Sequence, residues 1–227
     1  MFRSGRGAGL AARGLVTRGL IALPAILALA IGSAVLLAAC GAGAATPTPM
    51  MVDTVTMPPL GSRETAYNPP LAAPPLVLTD QDGRPFDLAS LRGGPVFVYF
   101  GYTHCPDVCP TTLADIREGI KRAGVAATVV FVTIDPARDT AAAMKQYTGF
   151  YGPGFTGLTG SAVQIARAAA DWGVSYKQLA VDANGNYAMA HSTEAYLIDG
   201  TGMLRHHLFF GAGADLIAGR LTQVAKP

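Results

Sequence analysis

The stretch PVFVYFGYTHCPDVCP, residues 95–110, decides the fold. Its first half, from Val96 to Tyr102, is a continuous apolar run of the kind expected of a central strand buried on both faces. Its second half holds two of the three cysteines in the chain, Cys105 and Cys109, with three residues between them and a proline after each. Pro110 suits the first turn of a helix, where its missing N–H costs nothing. Leu113, Ile116 and Ile120 then share one helical face, and Gly124 marks the end of that helix. The pair therefore lies between a buried strand and the start of a helix. Such a start carries partial positive charge and is expected to favour thiolate. Cysteines at i and i+4 can close a disulfide or share a soft ion, but not both at once. A structural staple closing so short a loop gains little from chain entropy.

The same alternation continues downstream. ATVVFVTID (127–135) reads as a second buried strand, and DTAAAMKQYTGFYG (139–152) as a helix with Asp139 as its N-cap. SAVQIARAAADWG (161–173) reads as a helix capped by Ser161, and VSYKQLAV (174–181) as a strand or loop. TEAYLIDGTGMLRHHLFFG (193–211) reads as a hairpin turning at residues 199–202, and the chain closes on an amphipathic helix. Upstream, LVLTDQDGRPFDL (76–88) reads as a short hairpin around Asp82-Gly83. Strands alternating with helices imply a sheet covered on both faces. The order predicts an α/β, thioredoxin-like fold: a mixed central sheet flanked by helices, with an N-terminal hairpin extension. Sites in such sheets form at the carboxyl ends of strands, where the cysteines lie.

The pair departs from thioredoxin practice in two ways. Thioredoxin-type oxidoreductases have two residues between their cysteines, and here there are three. They also have a proline before the late hairpin, whereas no proline occurs here between Pro153 and Pro227. That region is AMAHSTEAYLI (188–198), with His191 facing the cysteine loop if the layout holds. Two thiolates and an imidazole suit copper: sulfur selects Cu(I), and the added nitrogen helps hold Cu(II). A structural zinc site is normally closed by four ligands, and no further cysteine is at hand.

Three segments carry a family resemblance. GYTHCPDVCPTTL (101–113), FVTIDPARDT (131–140) and AHSTEAYLID (190–199) resemble the signature segments of the SCO/SenC family, in the family's order. The resemblance spans about residues 70–225. It implies a membrane-tethered, thioredoxin-like copper chaperone with Cys105, Cys109 and His191 as metal ligands. It also implies that Cys105 and Cys109 act as a redox pair. The implied partner is the copper-binding subunit of cytochrome c oxidase, with other copper chaperones or thioredoxin-like reductants as further partners. Ala190 stands where the family often has Asp. The alternative function is that of an extracytoplasmic thiol-disulfide reductase or thiol peroxidase.

Asp135, at the end of the second strand, is the candidate auxiliary ligand, against an Asp-Pro turn that merely ends the strand. His104 is expected at the surface, Asp107 on the loop, and Met189 in the core or a lid. Adjacent His206 and His207 cannot chelate one ion from a strand, since neighbours face opposite sides. One is expected in the core and the other in solvent. Trp172, Tyr147 and Tyr151 are expected in the core.

The N-terminus is set apart. Arg3, Arg6, Arg13 and Arg18 precede an uncharged run that ends at Cys40. Basic region, apolar region and small residues make an export signal. Leu37-Ala38-Ala39-Cys40 resembles the bacterial lipobox, which makes Cys40 the lipidation site and 1–39 the signal peptide. An uncleaved helix is the alternative anchor. Either places the rest of the chain on the extracytoplasmic face of a bacterial membrane. Residues 40–75, rich in proline, glycine and alanine, are expected to be a tether reaching roughly 100 Å, with the folded domain over 76–227. From Cys40 onward 13 basic residues face 15 acidic ones, which excludes a strongly basic nucleic-acid binder.

Overall fold

Every residue of the strand Val96–Gly101 is buried, and its neighbour Thr128–Thr133 is buried in all but its first residue. The computed structural model describes residues 62–225. The expected signal peptide, the expected lipidation site at Cys40 and the first part of the expected tether lie outside the described residues. Within them the chain runs β1 (Glu64–Ala72), β2 (Val77–Asp80), β3 (Pro85–Asp87), a 3₁₀ turn (Leu88–Leu91), β4 (Val96–Gly101), α1 (Val108–Ala123) and β5 (Thr128–Thr133). It continues through α2 (Ala141–Gly149), β6 (Phe155–Thr159), α3 (Ala162–Asp171), β7 (Tyr176–Gln178), β8 (Met189–His191), β9 (Ala195–Ile198), β10 (Met203–Leu208) and α4 (Gly213–Val224).

The main sheet has the order β1-β10-β9-β4-β5-β6-β2-β3. β4, β5 and β6 are parallel, and β9, β10 and β2 join them antiparallel. This is the mixed sheet that the alternation of strands and helices predicts, with the β2–β3 hairpin on one edge. Strand alternation sends Tyr99 and Phe100 to opposite faces. On one face Tyr99 stacks on Phe131, which continues through Tyr147 of α2, Tyr151 and Phe155. On the other, Phe100, Trp172 and Tyr196 close on one another. α1 packs along α4 and ends at Gly124 in the left-handed conformation, φ 62°.

The tether boundary and the cap of α2 need correction, and β6 was not expected. Residues 64–72 are not tether. They form β1, the edge strand paired with β10, so the folded part starts about a dozen residues before Leu76. Pro69 and Pro70 hide this strand in the sequence, and the register breaks between Ala66 and Leu71 because prolines cannot donate to the ladder. An edge tolerates them and is protected by them against pairing with other chains. FTGLT (155–159) is β6, a strand whose glycine and two threonines leave no apolar run to read. α2 is capped by Thr140, whose hydroxyl accepts from Ala143 N–H, and not by Asp139. Ser161 does cap α3, in a reciprocal box with Gln164.

His206 and His207 take opposite faces of β10, and neither is solvated. His206 meets Glu64, which also holds Arg220. His207 accepts from or donates to the Tyr67 hydroxyl, 3.2 Å from Nε2, and its ring meets Tyr196 edge-on at 4.4 Å. Burial pushes the pKa of His207 down to about 4 and lowers that of His206. Unfolded imidazole takes a proton near pH 6.5, and folded His207 refuses it until about pH 4. The unfolded state therefore binds more protons inside this window, so stability is full above pH 6.5 and falls as pH drops towards 4. The loss from His207 is on the order of 3 kcal/mol. Denaturant unfolding across pH 7.5 to 4 is expected to show this decline, with a slope shallower by about one proton in His207→Phe; equal slopes would show that His207 is not the group responsible.

Candidate metal centre

β4 ends at Gly101, where the chain turns towards the cysteines. A Cβ there would lie 2.7 Å from Phe131 Cε2 and 2.8 Å from Cys109 Sγ. Glycine is thus what lets the first turn of α1 press its sulfur against the end of the strand. Asp107 occupies the N-cap position of α1 but makes no side-chain cap hydrogen bond. The Cys109 N–H instead donates to Cys105 Sγ at 3.4 Å. One of the orphan donors of the helix start is therefore satisfied by the other cysteine.

The two sulfurs differ. Both are free thiols; Cys109 is fully buried and Cys105 only partly. Burial pushes the Cys109 thiol up to about 12, against a lowering contribution from a Tyr102 backbone hydrogen bond. The expected acidifying effect of the helix start is overruled for Cys109, because desolvation of a charge inside the protein outweighs a half-charge dipole. Tyr99, buried below, is raised mainly by desolvation and next by the sulfur of Cys109.

His191 ends β8, the second strand of a small ribbon separate from the main sheet. Its Nδ1 lies 2.5 Å from the Ser192 carbonyl oxygen, so Nδ1 carries the proton and donates it there. Nε2 is left with its lone pair, 3.5 Å from Cys109 Sγ. Burial lowers the pKa of His191, partly offset by the Ser192 hydrogen bond and by Glu194, which favours the neutral imidazole a metal needs. The Tyr102 ring meets His191 edge-on at 5.9 Å. One donor atom each from Cys105, Cys109 and His191 lies within 4.8 Å of the others, the one such group of three among the described residues.

The other candidates fall elsewhere. Asp135 is buried and committed: it accepts from Arg138 Nε and from the Tyr187 hydroxyl at 2.9 Å, and it is not among the three converging donors. In this structure its carboxylate is held by Arg138 and Tyr187. His104 is exposed, with Nδ1 3.0 Å from Thr103 Oγ1. Asp107 is exposed, and Met189 is partly buried on β8. Sequence reasoning passed over Gly101, Arg138 and Tyr187 and read Asp139 only as a helix cap. Their signals were present in Gly101 before the cysteine loop and in the acid-rich turn DPARD (135–139), but only the contacts give them roles.

The SCO1/SenC family model matches residues 64–226. An SCO2-like protein of Rickettsia conorii is 39% identical over 136 residues, 58% of this chain and 66% of that protein, so the chain spans slightly under two thirds of that relative. Among solved structures, Bradyrhizobium japonicum ScoI with copper bound superimposes with a TM-score of 0.61 at 34% identity, over 68% of this chain and 99% of that one. BsSco, described as a member of the Sco family of cytochrome c oxidase assembly proteins, shares the fold at 21% identity and a TM-score of 0.53, over 68% of this chain and 94% of that one. The fold is thioredoxin-like.

The close approach at Gly101 makes a direct prediction. Gly101→Ala forces Phe131 or Cys109 aside, an overpacking cost of about 1–3 kcal/mol. The unfolding midpoint is expected to fall, and a thiol reagent is expected to reach Cys109 faster in the folded protein. An unchanged midpoint and unchanged labelling would show that the strand end has slack.

Proposed function

The chain belongs to the SCO1/SenC family, and from that membership and the site we propose that it is a copper metallochaperone for cytochrome c oxidase. The observation that carries this is the convergence of two sulfurs and one imidazole nitrogen within 4.8 Å. Thiolate sulfur is the soft donor that Cu(I) prefers, and an added imidazole extends the set towards Cu(II). The neutral tautomer of His191, with Nε2 facing Cys109, is the form that can ligate. Cu(I) as cargo displaces the protons of Cys105 and Cys109; two thiolates and one cuprous ion leave a single negative charge on the site. Loading requires the dithiol, so oxidation of the pair to a disulfide blocks it.

The unequal exposure of the sulfurs sets an order for delivery. Cys105 is the sulfur an incoming cysteine can reach, while Cys109 is sealed under Gly101 and Phe131. Release proceeds by ligand exchange starting at Cys105, and Cys109 lets go last. The recipient is the copper-binding subunit of the oxidase, the partner that the SCO/SenC resemblance implies. The same inequality favours a second use, reduction of that subunit's cysteines. Cys105 thiolate attacks the target disulfide and expels one thiolate; Cys109 then attacks the mixed disulfide and expels the second. Two electrons pass from the pair, which ends as a Cys105–Cys109 disulfide, and Nε2 of His191 is placed to take the Cys109 proton.

The setting follows from the sequence upstream. Lipidation at Cys40 would hold the domain at the extracytoplasmic face of a bacterial membrane, on a tether shortened by β1 to about residues 41–63. The wild type is expected to incorporate a labelled fatty acid and to lose residues 1–39, and Cys40→Ser to lose the label while keeping those residues uncleaved. Membrane retention with no label in the wild type would favour the uncleaved helix instead.

Copper titration of the reduced full-length protein tests the central role. One Cu(I) per chain is expected, lost in Cys105→Ser or Cys109→Ser. In His191→Ala, Cu(I) is expected to remain on the sulfurs while the Cu(II)–thiolate absorption disappears. If copper binds weakly to the wild type while the wild type still reduces a target disulfide, the thiol-disulfide reductase is the function.

A further inference from the structure

The histidine ribbon is short. β7 and β8 pair at Tyr176–His191, Lys177–Ala190 and Gln178–Met189, extended at the two ends by Ser192 N–H on the Ser175 carbonyl at 2.9 Å and Leu179 N–H on the Ala188 carbonyl at 2.8 Å. An isolated two-stranded ribbon is marginally stable, and residues 179–186 at its tip are all exposed. Yet its last residue, His191, must meet a sulfur on α1.

One short turn touches both halves of the site. It follows β5 and runs Asp135-Pro136-Ala137-Arg138-Asp139, closed by the N–H groups of Arg138 and Asp139 donating to the Asp135 carbonyl. At one end the fully buried Asp139 carboxylate accepts from Thr103 N–H at 3.0 Å, from Thr103 Oγ1 at 2.6 Å and from Thr133 Oγ1 at 2.6 Å. Thr103 lies two residues before Cys105. At the other end Arg138 Nη1 donates to the Tyr187 carbonyl at 2.9 Å, and its guanidinium carbon sits 3.6 Å over the Tyr187 ring. The Tyr187 hydroxyl donates to Asp135 Oδ1 at 2.9 Å. Tyr187 lies four residues before His191. The Arg138 guanidinium also lies 5.8 Å from the Tyr102 ring, which abuts His191.

We propose that this turn is a positioning clamp: Asp139 fixes the cysteine loop, Arg138 and Asp135 fix the histidine ribbon, and the turn sets the spacing between them. Its functional sense rests on the copper reading above. None of its three charged residues is among the converging donors Cys105, Cys109 and His191. Arginine suits the ribbon end because its planar fork donates along the chain and stacks on an aromatic ring at once. Residues that orient ligands from behind typically change metal affinity by about 10–100-fold when removed.

The test uses the full-length protein and two variants, Arg138→Met and the milder Tyr187→Phe, which removes only the hydroxyl donated to Asp135. In the metal-free protein, hydrogen exchange of the ribbon amides around residues 187–192 is expected to speed up about tenfold or more in Arg138→Met and less in Tyr187→Phe, with β4 and β5 unchanged. With copper, Cu(II) affinity and its thiolate absorption are expected to fall about 10–100-fold, while Cu(I) on the two sulfurs changes far less. Asp139→Asn is expected to weaken Cu(I) binding as well, because it loosens the cysteine loop. If both ribbon variants leave exchange and Cu(II) absorption as in wild type, there is no clamp, even with copper bound as proposed. If the wild type takes no copper, the chaperone role fails, and the exchange data alone still decide whether the turn holds the ribbon.

Discussion

A buried sulfur and a neutral imidazole brought to 3.5 Å from elements 82 residues apart are the constraint on which the rest depends. Neither group would sit there on its own account. Burying Cys109 forces its thiol to stay protonated in the metal-free protein, and burying His191 keeps it neutral. A soft cation removes both penalties together, since it replaces the thiol proton and uses the imidazole lone pair. The sheet supplies the foundation: β4 and β5 end side by side, one leading into the cysteine loop and the other into the Asp135–Asp139 turn.

The two cysteines divide the work through exposure. Cys105 takes the orphan N–H of the helix start and remains reachable, while Cys109 is sealed by glycine and aromatic rings. A site with two equally exposed thiolates would exchange its ion with any competing thiol. On the proposed copper reading, one sealed sulfur would retain the ion until a partner had engaged the other. On the proposed function, the same geometry would serve both ligand exchange and disulfide exchange.

Much of this was legible before any coordinates. The apolar run 96–102, the prolines around the cysteines and Gly124 follow from local physics, because strands buried on both faces and helix termini have strong composition signals. His191 stood out because a proline was missing where a thioredoxin-like chain has one. What escaped the sequence was set by tertiary context. β1 carries two prolines that only an edge position excuses, and β6 has too few apolar residues to declare itself. Asp139 fits an N-cap by type but is drawn into the core by Thr103 and Thr133, leaving Thr140 to cap the helix. The sign of the Cys109 shift was misjudged because a helix start is visible in sequence and the depth of burial is not.

X-ray absorption of the copper-loaded full-length protein measures the central claim most directly. The account predicts two sulfur scatterers and one imidazole in the Cu(II) form, with the imidazole signal lost in His191→Ala. A spectrum with one sulfur or none, or with no imidazole in the wild type, would contradict it.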